Sequence, residues 1–479
     1  MHRDLLRALG RGAPAALTAG LPIALLGGPA RAAEAAHGLD GAALAVGWAV
    51  PFVGLLLSIA LVPLLAAGFW HRHYGKVALG WALAFVLPAA VLLGPATVWA
   101  EILHVALLDY VPFVILLLAL FTVTGGLRIQ GGFTGTPVSN ATGLAIGTGL
   151  ASLMGTTGAA MLLVRPLLRA NGWRKRRSHV FIFLIFLVAN IGGALTPLGD
   201  PPLFLGFLRG VPFFWPTVHL LLPMLILSGT LLLLFLALDH WYAAREDDRP
   251  PPAEPLRFEG LANVPLLALV VLAVLLSGVL DTGPWLVVHS VAVDGASLLR
   301  DLVLLVIVGL SVALTAREVR EANGFTWEPM IEVAKLFAAI FVTIIPVLAM
   351  LRAGSAGAFG WVVDSVSRAD GTPHDIAYFW ATGILSSFLD NAPTYLVFFN
   401  SAGGDPAVLT TTLASTLAAI SAGAVFMGAN TYIGNAPNFM VRSIVEAGGT
   451  RMPSFFGYMA WSTVVLVPLF AVLSWLLFA

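Results

Sequence analysis

The sequence predicts an all-α polytopic membrane protein built from two inverted repeats, each with five transmembrane helices and one re-entrant hairpin. Three observations predict this fold. The chain has 479 residues, of which 59% are hydrophobic and 10% charged. It contains long apolar runs, such as 179–189 and 217–239, as membrane proteins do. A passage recurs in the second half, and the basic residues fall on one side of the resulting topology.

The recurring passage reads GALTPLGDPPLF at 193–204 and GANTYIGNAPNF at 428–439, an offset of 428 − 193 = 235. A second pair of windows, ASLMGTTGAAML at 151–162 and SSFLDNAPTYLV at 386–397, has the same offset, 386 − 151 = 235. Each window places glycine, proline and polar residues inside apolar sequence. In membrane proteins, such interruptions at corresponding places of two halves indicate a transport site.

The N-terminal residues 1–33 are predicted to be a signal peptide. Three arginines precede a mostly small and apolar stretch at 13–28, and ARA at 30–32 fits a small-x-small cleavage site. An uncleaved first helix is the alternative. Both interpretations place the start of the next segment outside, so the predicted topology does not depend on the choice.

The first repeat is predicted over 42–240, a linker over 241–261 and the second repeat over 262–478. About 20 residues cross a bilayer as a helix, so two of the predicted spans, 179–210 and 408–446, are too long for one straight crossing. We interpret both as helices broken in the middle of the membrane. The predicted spans are 42–69, 77–97, 101–126, 179–210, 217–240, 262–280, 299–315, 330–351, 408–446 and 454–478.

Two further apolar segments, 138–170 and 375–401, are interrupted at their centres by GTTG (155–158) and DNAP (390–393). We interpret both as re-entrant hairpins that enter and leave the membrane on one side. Irregular backbone cannot face lipid, so the tips are expected to line a protein-enclosed cavity. Two ordinary packed helices with a buried kink are the alternative.

The charges support the hairpins. If the exterior precedes residue 42, most basic residues, including those of 174–177, fall inside, whereas most acidic loop residues fall outside. Arg300, Arg352 and Arg368 are exceptions. An odd number of spans in each half inverts the second repeat, makes the linker cytoplasmic and puts the C-terminus outside. Segments 128–137 and 352–371, which precede the hairpins, are predicted to be surface-lying arms.

The composition also excludes several functions. A formal net charge of zero gives no sign of a basic surface that would bind nucleic acid. The absence of cysteine excludes disulfides, thiolate metal sites and cysteine nucleophiles. The sequence has no phosphate loop, catalytic triad or metal-ligand cluster. We therefore expect no enzymatic activity, no metal beyond sodium and no cofactor apart from a sodium ion or proton as the coupling ion.

A broken helix exposes free N–H and C=O groups, which carry partial charges at the new termini. Hydroxyl and amide side chains in the breaks add neutral ligands of the kind that sodium prefers. The alternative is that these side chains cap broken backbone and contact no solute. The predicted ion- or substrate-binding residues are Thr156, Thr157, Thr196, Asp200, Asp390, Asn391, Thr394, Asn430, Thr431, Asn435 and Asn438.

Asp200 and Asp390 are the strongest of these candidates. A charged carboxylate at the bilayer centre costs roughly 2.5–3.5 kcal/mol on insertion scales, so its presence points to function. Such a group can exchange a proton for a sodium ion. The alternative is an N-cap that accepts N–H bonds from its own turn. The repeat is asymmetric here, because Asp200 corresponds to Asn435 and Asp390 corresponds to Gly155.

The chain resembles bacterial members of the ion transporter superfamily over about residues 42–478. The motifs that carry the resemblance are GTTGAAMLLVRP, NIGGALTPLGDPPLFLGF, LDNAPTYLVF and GANTYIGNAPNF. This superfamily includes citrate transporters, divalent anion/sodium symporters, arsenite pumps and NhaD-type sodium/proton antiporters. The resemblance implies a homodimer in the bacterial inner membrane, and an elevator movement in which 138–210 and 375–446 form the moving domain.

The resemblance leaves the solute open. Carboxylate-binding symporters of the superfamily have Ser-Asn-Thr signatures at both hairpin tips. Here Gly155-Thr156-Thr157 is a partial match, whereas Asp390-Asn391-Ala392 departs from the signature and is closer to the antiporter and arsenite branches. Arg165, directly after the first hairpin, has two open interpretations: contact with an anion, or an anchor on the basic side.

The leading expectation is sodium/proton antiport with Asp200 and Asp390 as carriers, because the repeated windows contain no lysine or arginine. The alternative is sodium- or proton-coupled uptake of citrate or a dicarboxylate. A third possibility is a membrane receptor that does not transport. The expected partners are the lipid bilayer, a small inorganic cation, a carboxylate solute and a second copy of the chain, but no nucleic acid.

Overall fold

The computed structural model describes residues 38–252 and 254–479, of which 39–479 form one unit. The predicted signal peptide, 1–33, lies outside the described residues. The described chain is mostly helical. Its first half contains a 3-10 turn (Val46–Ala49), α1 (Val50–Leu65), α2 (Ala67–Leu92), α3 (Pro95–Val105), a π-helical turn (Ala106–Tyr110), α4 (Val111–Gly125), β1 (Arg128–Gln130), α5 (Pro137–Met154), α6 (Thr156–Ala170), α7 (Ser178–Leu187), a 3-10 turn (Ile191–Leu195), α8 (Pro201–Leu208) and α9 (Trp215–Ala243).

The second half has more irregular elements. It contains β2 (Arg257–Glu259), α10 (Asn263–Ser277), β3 (Pro284–Val288), β4 (Val291–Asp294), α11 (Gly295–Leu314), α12 (Arg317–Ala322), α13 (Glu328–Thr343), α14 (Ile345–Arg352), a 3-10 turn (Gly354–Ala356), α15 (Gly360–Ser365), α16 (Asp375–Phe388), α17 (Asn391–Ser401), α18 (Pro406–Thr410), α19 (Ala414–Met427), a 3-10 turn (Gly428–Asn430), α20 (Ala436–Ala447) and α21 (Phe455–Phe478).

Seven helical stretches of the described chain are long and apolar enough to cross a membrane. They are Val46–Leu65, Ala67–Leu92, Pro95–Gly125, Ser178–Leu195, Trp215–Ala243, Gly295–Leu314 and Phe455–Phe478. The pair α13–α14, bent by 42°, makes an eighth. The other two predicted spans correspond to shorter apolar helices, Asn263–Ser277 and Ala414–Asn430.

The two broken helices form the centre of the molecule. Of the 18 residues of Ser178–Leu195, 89% are buried inside the protein, compared with 17% in an apolar 18-residue part of Ala67–Leu92. In α19, every residue from Thr416 to Met427 is buried. A helix that is apolar on all sides and enclosed by protein is shielded from lipid, so its interruption exposes no backbone to the bilayer.

The interruptions lie where the sequence predicts them. Gly155 has φ 80° and separates α5 from α6, while Leu389 and Asp390 are non-helical and separate α16 from α17. The helices that follow each break begin at matching positions. These are Thr156 and Asn391 (391 − 156 = 235) in the hairpins, and Pro201 and Ala436 (436 − 201 = 235) in the broken helices. The duplication is therefore present in the secondary structure, while the opposite orientation of the halves stays a prediction.

The all-α prediction was incomplete, because the described chain contains two small antiparallel sheets. In one sheet β1 pairs with β2, and Arg128 forms a 2.9 Å ion pair with Glu259 across the strands. The first predicted surface arm, 128–137, is therefore paired with the predicted linker, 241–261. An opposite-charge pair across two strands stabilises both of them. In the other sheet, β3 and β4 form a hairpin in the loop before α11, where the sequence PWLVV favours a strand.

Helix α2 begins ten residues before the predicted start at 77. The connection to α1 is the single non-helical residue Ala66, so His71 and Lys76 lie within the first three turns of α2 and not in a loop. Charged side chains at a helix end reach polar surroundings without interrupting the helix, which is why hydropathy placed this boundary too late.

Candidate functional site

In each repeat, a serine of the hairpin holds the broken helix, and the two serines occupy equivalent positions. Thr196 Oγ1 donates to the carbonyl oxygen of Ser152, and Thr431 Oγ1 donates to the carbonyl oxygen of Ser387 at 2.5 Å. Both residues recur at the offset of the repeat, since 387 − 152 = 431 − 196 = 235. The serine hydroxyls also donate to backbone carbonyls of the broken helices. The two halves therefore use one design to position their breaks.

Close glycine contacts tighten each break. A Cβ on Gly199 would lie 2.1 Å from the carbonyl oxygen of Gly193, and a Cβ on Gly434 would lie 2.6 Å from that of Gly428. Backbone atoms cannot yield as a flexible side chain can, so Gly199 and Gly434 cannot carry a Cβ in this conformation. At the first hairpin tip, the N–H of Thr156 donates to the carbonyl of Gly199 at 2.9 Å. The tip and the break are thereby joined through backbone.

Asp200 is the point at which the two repeats meet. It precedes α8, is 1% exposed, and accepts three hydrogen bonds from side chains. Thr156 Oγ1 donates to Oδ1 at 3.1 Å, Asn435 Nδ2 donates to Oδ1 at 3.2 Å, and Asn391 Nδ2 donates to Oδ2 at 2.5 Å. Thr156 and Asn391 are equivalent repeat positions, and so are Asp200 and Asn435. One carboxylate is thus held by both hairpin tips and by its own counterpart.

A second layer of amides links the repeats behind Asp200. Asn435 Nδ2 also donates to Asn190 Oδ1 at 3.2 Å, and Asn190 Nδ2 donates to Asn438 Oδ1 at 2.8 Å. Asn438 Nδ2 then donates to the carbonyls of Gly428 and Thr431 at 2.8 and 2.9 Å. These fully buried amides satisfy backbone oxygens that the breaks leave without helical partners.

Asp390 has a different role in the structure. Its Oδ1 accepts from the backbone N–H of Ala392 at 3.0 Å, so it acts as the N-cap of α17. Thr394 Oγ1 donates to the Asp390 carbonyl at 2.9 Å, which also supports the cap. Asn430 Nδ2 donates to Ser387 Oγ at 2.9 Å. Asp390, Thr394 and Asn430 thus make hydrogen bonds within their own repeat, as do Thr196 and Thr431. Among the described residues, these five of the eleven predicted residues have no hydrogen bond to Asp200.

Two buried amide oxygens in the site have no hydrogen-bond partner among the described residues. They are Oδ1 of Asn391, beside Asp200, and Oδ1 of Asn430. A buried acceptor without a partner is costly, so it needs a donor or a cation to satisfy it. The Asn391 oxygen and the Asp200 carboxylate are oxygen ligands that could both contact one small hard cation.

Two cavities adjoin the first hairpin tip. The smaller, about 90 Å³, is bordered by Thr156, Thr157 and Met440. The larger, about 280 Å³, shares Thr157 and Met440 with it and extends along α6 to Arg165 and across to Ser443 on α20. Thr157 therefore lines both cavities, and Thr156, which donates to Asp200, lines the smaller one.

A family model described as "Putative citrate transport" matches residues 41–478. The chain belongs to this family. A search of curated proteins gave no match. Membership in the citrate transport family, together with the apolar helices, makes the chain a multi-pass membrane protein. The family is that of a transporter, which agrees with the expectation that the protein is not an enzyme.

For this citrate transport family member, sequence reasoning missed three residues that build the site. Ser152 and Ser387 hold the hairpins to the broken helices, and their repetition at the offset of 235 was a usable signal. Asn190 links Asn435 to Asn438, but it has no polar counterpart in the second repeat, where position 425 is valine. A search restricted to duplicated polar residues could not find Asn190.

Proposed function

We propose that this protein is a secondary active transporter that couples the movement of a small carboxylate of the citrate type to a cation bound at Asp200. One observation supports the proposal most strongly: both hairpin tips and both broken helices converge on that carboxylate. The family supplies the class of solute.

The surroundings of Asp200 explain why a cation would bind there. Among the described residues, its side-chain partners are the neutral Thr156, Asn391 and Asn435. Neutral donors stabilise an anion but leave its charge uncompensated, and an uncompensated buried charge is costly. A proton or a sodium ion supplies the compensation. Asn391 Oδ1 offers sodium a second ligand.

The cross-repeat hydrogen bonds favour an elevator mechanism. Asp200 bonds to Asn391 and Asn435, and Asn190 bonds to Asn438, so 138–210 and 375–446 are joined by buried polar contacts. Segments joined in this way are expected to move as one body and to carry the site past the outer helices. A cation at Asp200 would satisfy the site before it moves, and this links cation binding to solute transport.

Sodium/proton antiport without an organic solute is the second candidate. Asp200 and its neutral donors suffice for antiport, since one carboxylate can bind a proton and a sodium ion alternately. The Asp-Asn-Ala-Pro tip, 390–393, also resembles the antiporter branch. The two candidates share the cation site and differ only in the solute.

The test is transport by purified protein in liposomes. Uptake of labelled citrate is measured under an imposed sodium or proton gradient, and an entrapped dye reports pH changes on addition of Na⁺, Li⁺ or K⁺ to the same preparation. We expect gradient-driven citrate uptake that depends on one cation. Sodium-dependent pH change without citrate uptake would replace the proposal with antiport, and the absence of both activities would refute both candidates.

The proposal also includes topology. The two repeats have opposite orientations, linker 241–261 is cytoplasmic, the C-terminus is outside and two chains form a homodimer in the inner membrane. Because the chain lacks cysteine, single cysteines at Glu254 and Ser290 can be labelled from either side of intact cells without background. Labelling of both from the same side would refute this topology.

A further inference from the structure

The larger cavity beside the first hairpin has an unusual charge balance. It is lined by residues of α4, α6, the loop between α12 and α13, and α20. Of the described residues that line it, Arg165 is basic and none is acidic, while Thr157, Thr326 and Ser443 contribute hydroxyls. A cavity with one cation, several hydroxyls and no competing acid favours an anionic ligand.

Arg165 is half-buried on α6 and forms no hydrogen bond or ion pair with any residue of 38–252 or 254–479. Neighbouring arginines are occupied. Arg169 donates to the carbonyl of Ile129 at 2.9 Å, and Arg320 donates to that of Thr122 at 3.0 Å. The Arg165 guanidinium therefore retains its donors for a ligand, and its forked geometry suits a carboxylate.

The second repeat shows that the fold does not need this charge. The position equivalent to Arg165 is 165 + 235 = 400, which is Asn400, and its Nδ2 bonds to the carbonyl of Leu396 at 2.7 Å. The first hairpin thus has a positively charged side chain at this position, whereas the second has a neutral side chain that hydrogen-bonds within its own helix. An arginine that served only as a positive-inside anchor would have no need to line a cavity.

The position of Arg165 along α6 places it on the approach to Asp200. Thr157 borders both cavities, and Arg165 lies eight residues later, roughly 12 Å along a helix. The wall opposite is held in place by Asn323, whose Nδ2 donates to the carbonyls of Gly125 and Leu127 at 3.0 and 2.7 Å. In the proposed topology, Arg165 therefore lies at the cytoplasmic end of two adjacent cavities, and the inner cavity is lined by Thr156.

We propose that this cavity is the cytoplasmic entry site for small di- and tricarboxylates, in which Arg165 binds one carboxylate of the solute on its path between the cytoplasm and Asp200. This inference rests on the proposed function and adds a residue that determines the affinity and charge selectivity of the entry step. It predicts a role for Arg165 in solute binding and none in cation coupling.

The transport test compares Arg165→Gln with Arg165→Lys, and uses Arg169→Gln, one turn further along the same helix and outside the cavity lining, as the control. We expect Arg165→Gln to raise the KM for citrate about tenfold or more with little change in maximal rate, because a charge-assisted carboxylate contact is lost. Arg165→Lys should restore part of the affinity. Gradient-driven uptake with an unchanged KM in Arg165→Gln would overturn the entry site while leaving the proposed function intact.

A binding test keeps the inference separate from transport. Met161 lines the same cavity, and the chain has no natural cysteine, so Met161→Cys can be labelled alone with a thiol reagent. We expect citrate to slow this labelling, and the protection to disappear in Met161→Cys/Arg165→Gln. Absence of protection by citrate and by succinate would overturn the entry site, whether or not the liposomes take up citrate.

Discussion

Replacing Asp200 with asparagine should preserve the fold and abolish cation coupling, whereas alanine at the same position should strongly destabilise the fold. The carboxylate accepts from Thr156, Asn391 and Asn435, all of which are buried. Asparagine keeps one oxygen, which can still accept from Thr156 and Asn435. Its amide group can donate to Asn391 Oδ1, which has no described partner, once the Asn391 amide rotates.

The magnitudes separate the two variants. A buried donor without a partner costs about 1–3 kcal/mol. Alanine leaves two such donors, Thr156 Oγ1 and Asn391 Nδ2, because Asn435 Nδ2 keeps its bonds to Ala189 and Asn190, so it costs about 2–6 kcal/mol. That cost is a large fraction of the total stability of a typical protein. Asparagine exchanges charge-assisted bonds for neutral ones and should cost about 1–2 kcal/mol. It can hold neither a proton nor the charge that attracts sodium.

Thermal unfolding in detergent, followed by tryptophan fluorescence, measures the first effect, and the liposome assay measures the second. We expect Asp200→Asn to unfold close to the wild-type temperature, and to have lost the dependence of transport on the coupling cation and on pH. Wild-type cation and pH dependence in Asp200→Asn would refute the role of this carboxylate. Equal stability of the alanine and asparagine variants would refute the hydrogen-bond argument.

Three further predictions follow from single contacts. Asp390→Asn should retain coupling in the liposome assay, because asparagine caps a helix as well as aspartate does; loss of coupling would make Asp390 a second carrier. Gly199→Ala should reduce the folded yield, measured by size-exclusion chromatography, because its Cβ would meet backbone oxygen at 2.1 Å, while the control Gly149→Ala has nothing within 4 Å and should be neutral or slightly stabilising. The hydrogen bond and charge of Lys175 hold the pKa of Asp247 below its usual range, so this contact is present at neutral pH and is lost as the pH falls through that pKa. Proteolysis of the linker should therefore accelerate on acidification in the wild type and be fast throughout in Lys175→Met, and equal rates at neutral pH would contradict this.

The two aspartates, Asp200 and Asp390, cannot be distinguished from the sequence. Asp200 and Asp390 both follow a break, and both precede a helix. Local sequence therefore gives them the same two interpretations, ion ligand or N-cap. In the structure, Asp390 accepts from the N–H two residues later, whereas Asp200 accepts from side chains 44, 191 and 235 residues away. Contacts over such separations depend on how the repeats pack.

The recurring passage was sufficient to locate the breaks, because it gathers glycine, proline and polar residues into a few positions, and each of these weakens a helix. A single proline does not end a helix here, as Pro88 in α2 and Pro223 in α9 show. The same local chemistry predicted ten apolar segments and two interrupted ones, and the helices of the structure agree with most of these bounds to within a few residues. The sequence could not reveal β1–β2 pairing, because a three-residue strand is stabilised by its partner and not by its own composition. Nor could it reveal that Arg165 lines a cavity.

By itself, then, the sequence determined the class of protein, the duplication and the positions of the four breaks, since each depends on short-range hydropathy and backbone conformation. Tertiary structure alone decided which polar residues share a site. It gave Asp200 hydrogen bonds from both repeats and gave Asp390 a bond within its own turn, added Asn190, Ser152 and Ser387, and left the Asn391 oxygen unsatisfied beside the carboxylate. The reason is physical: a buried polar group must find its partners wherever packing provides them, and in this protein packing takes them from both halves of the chain.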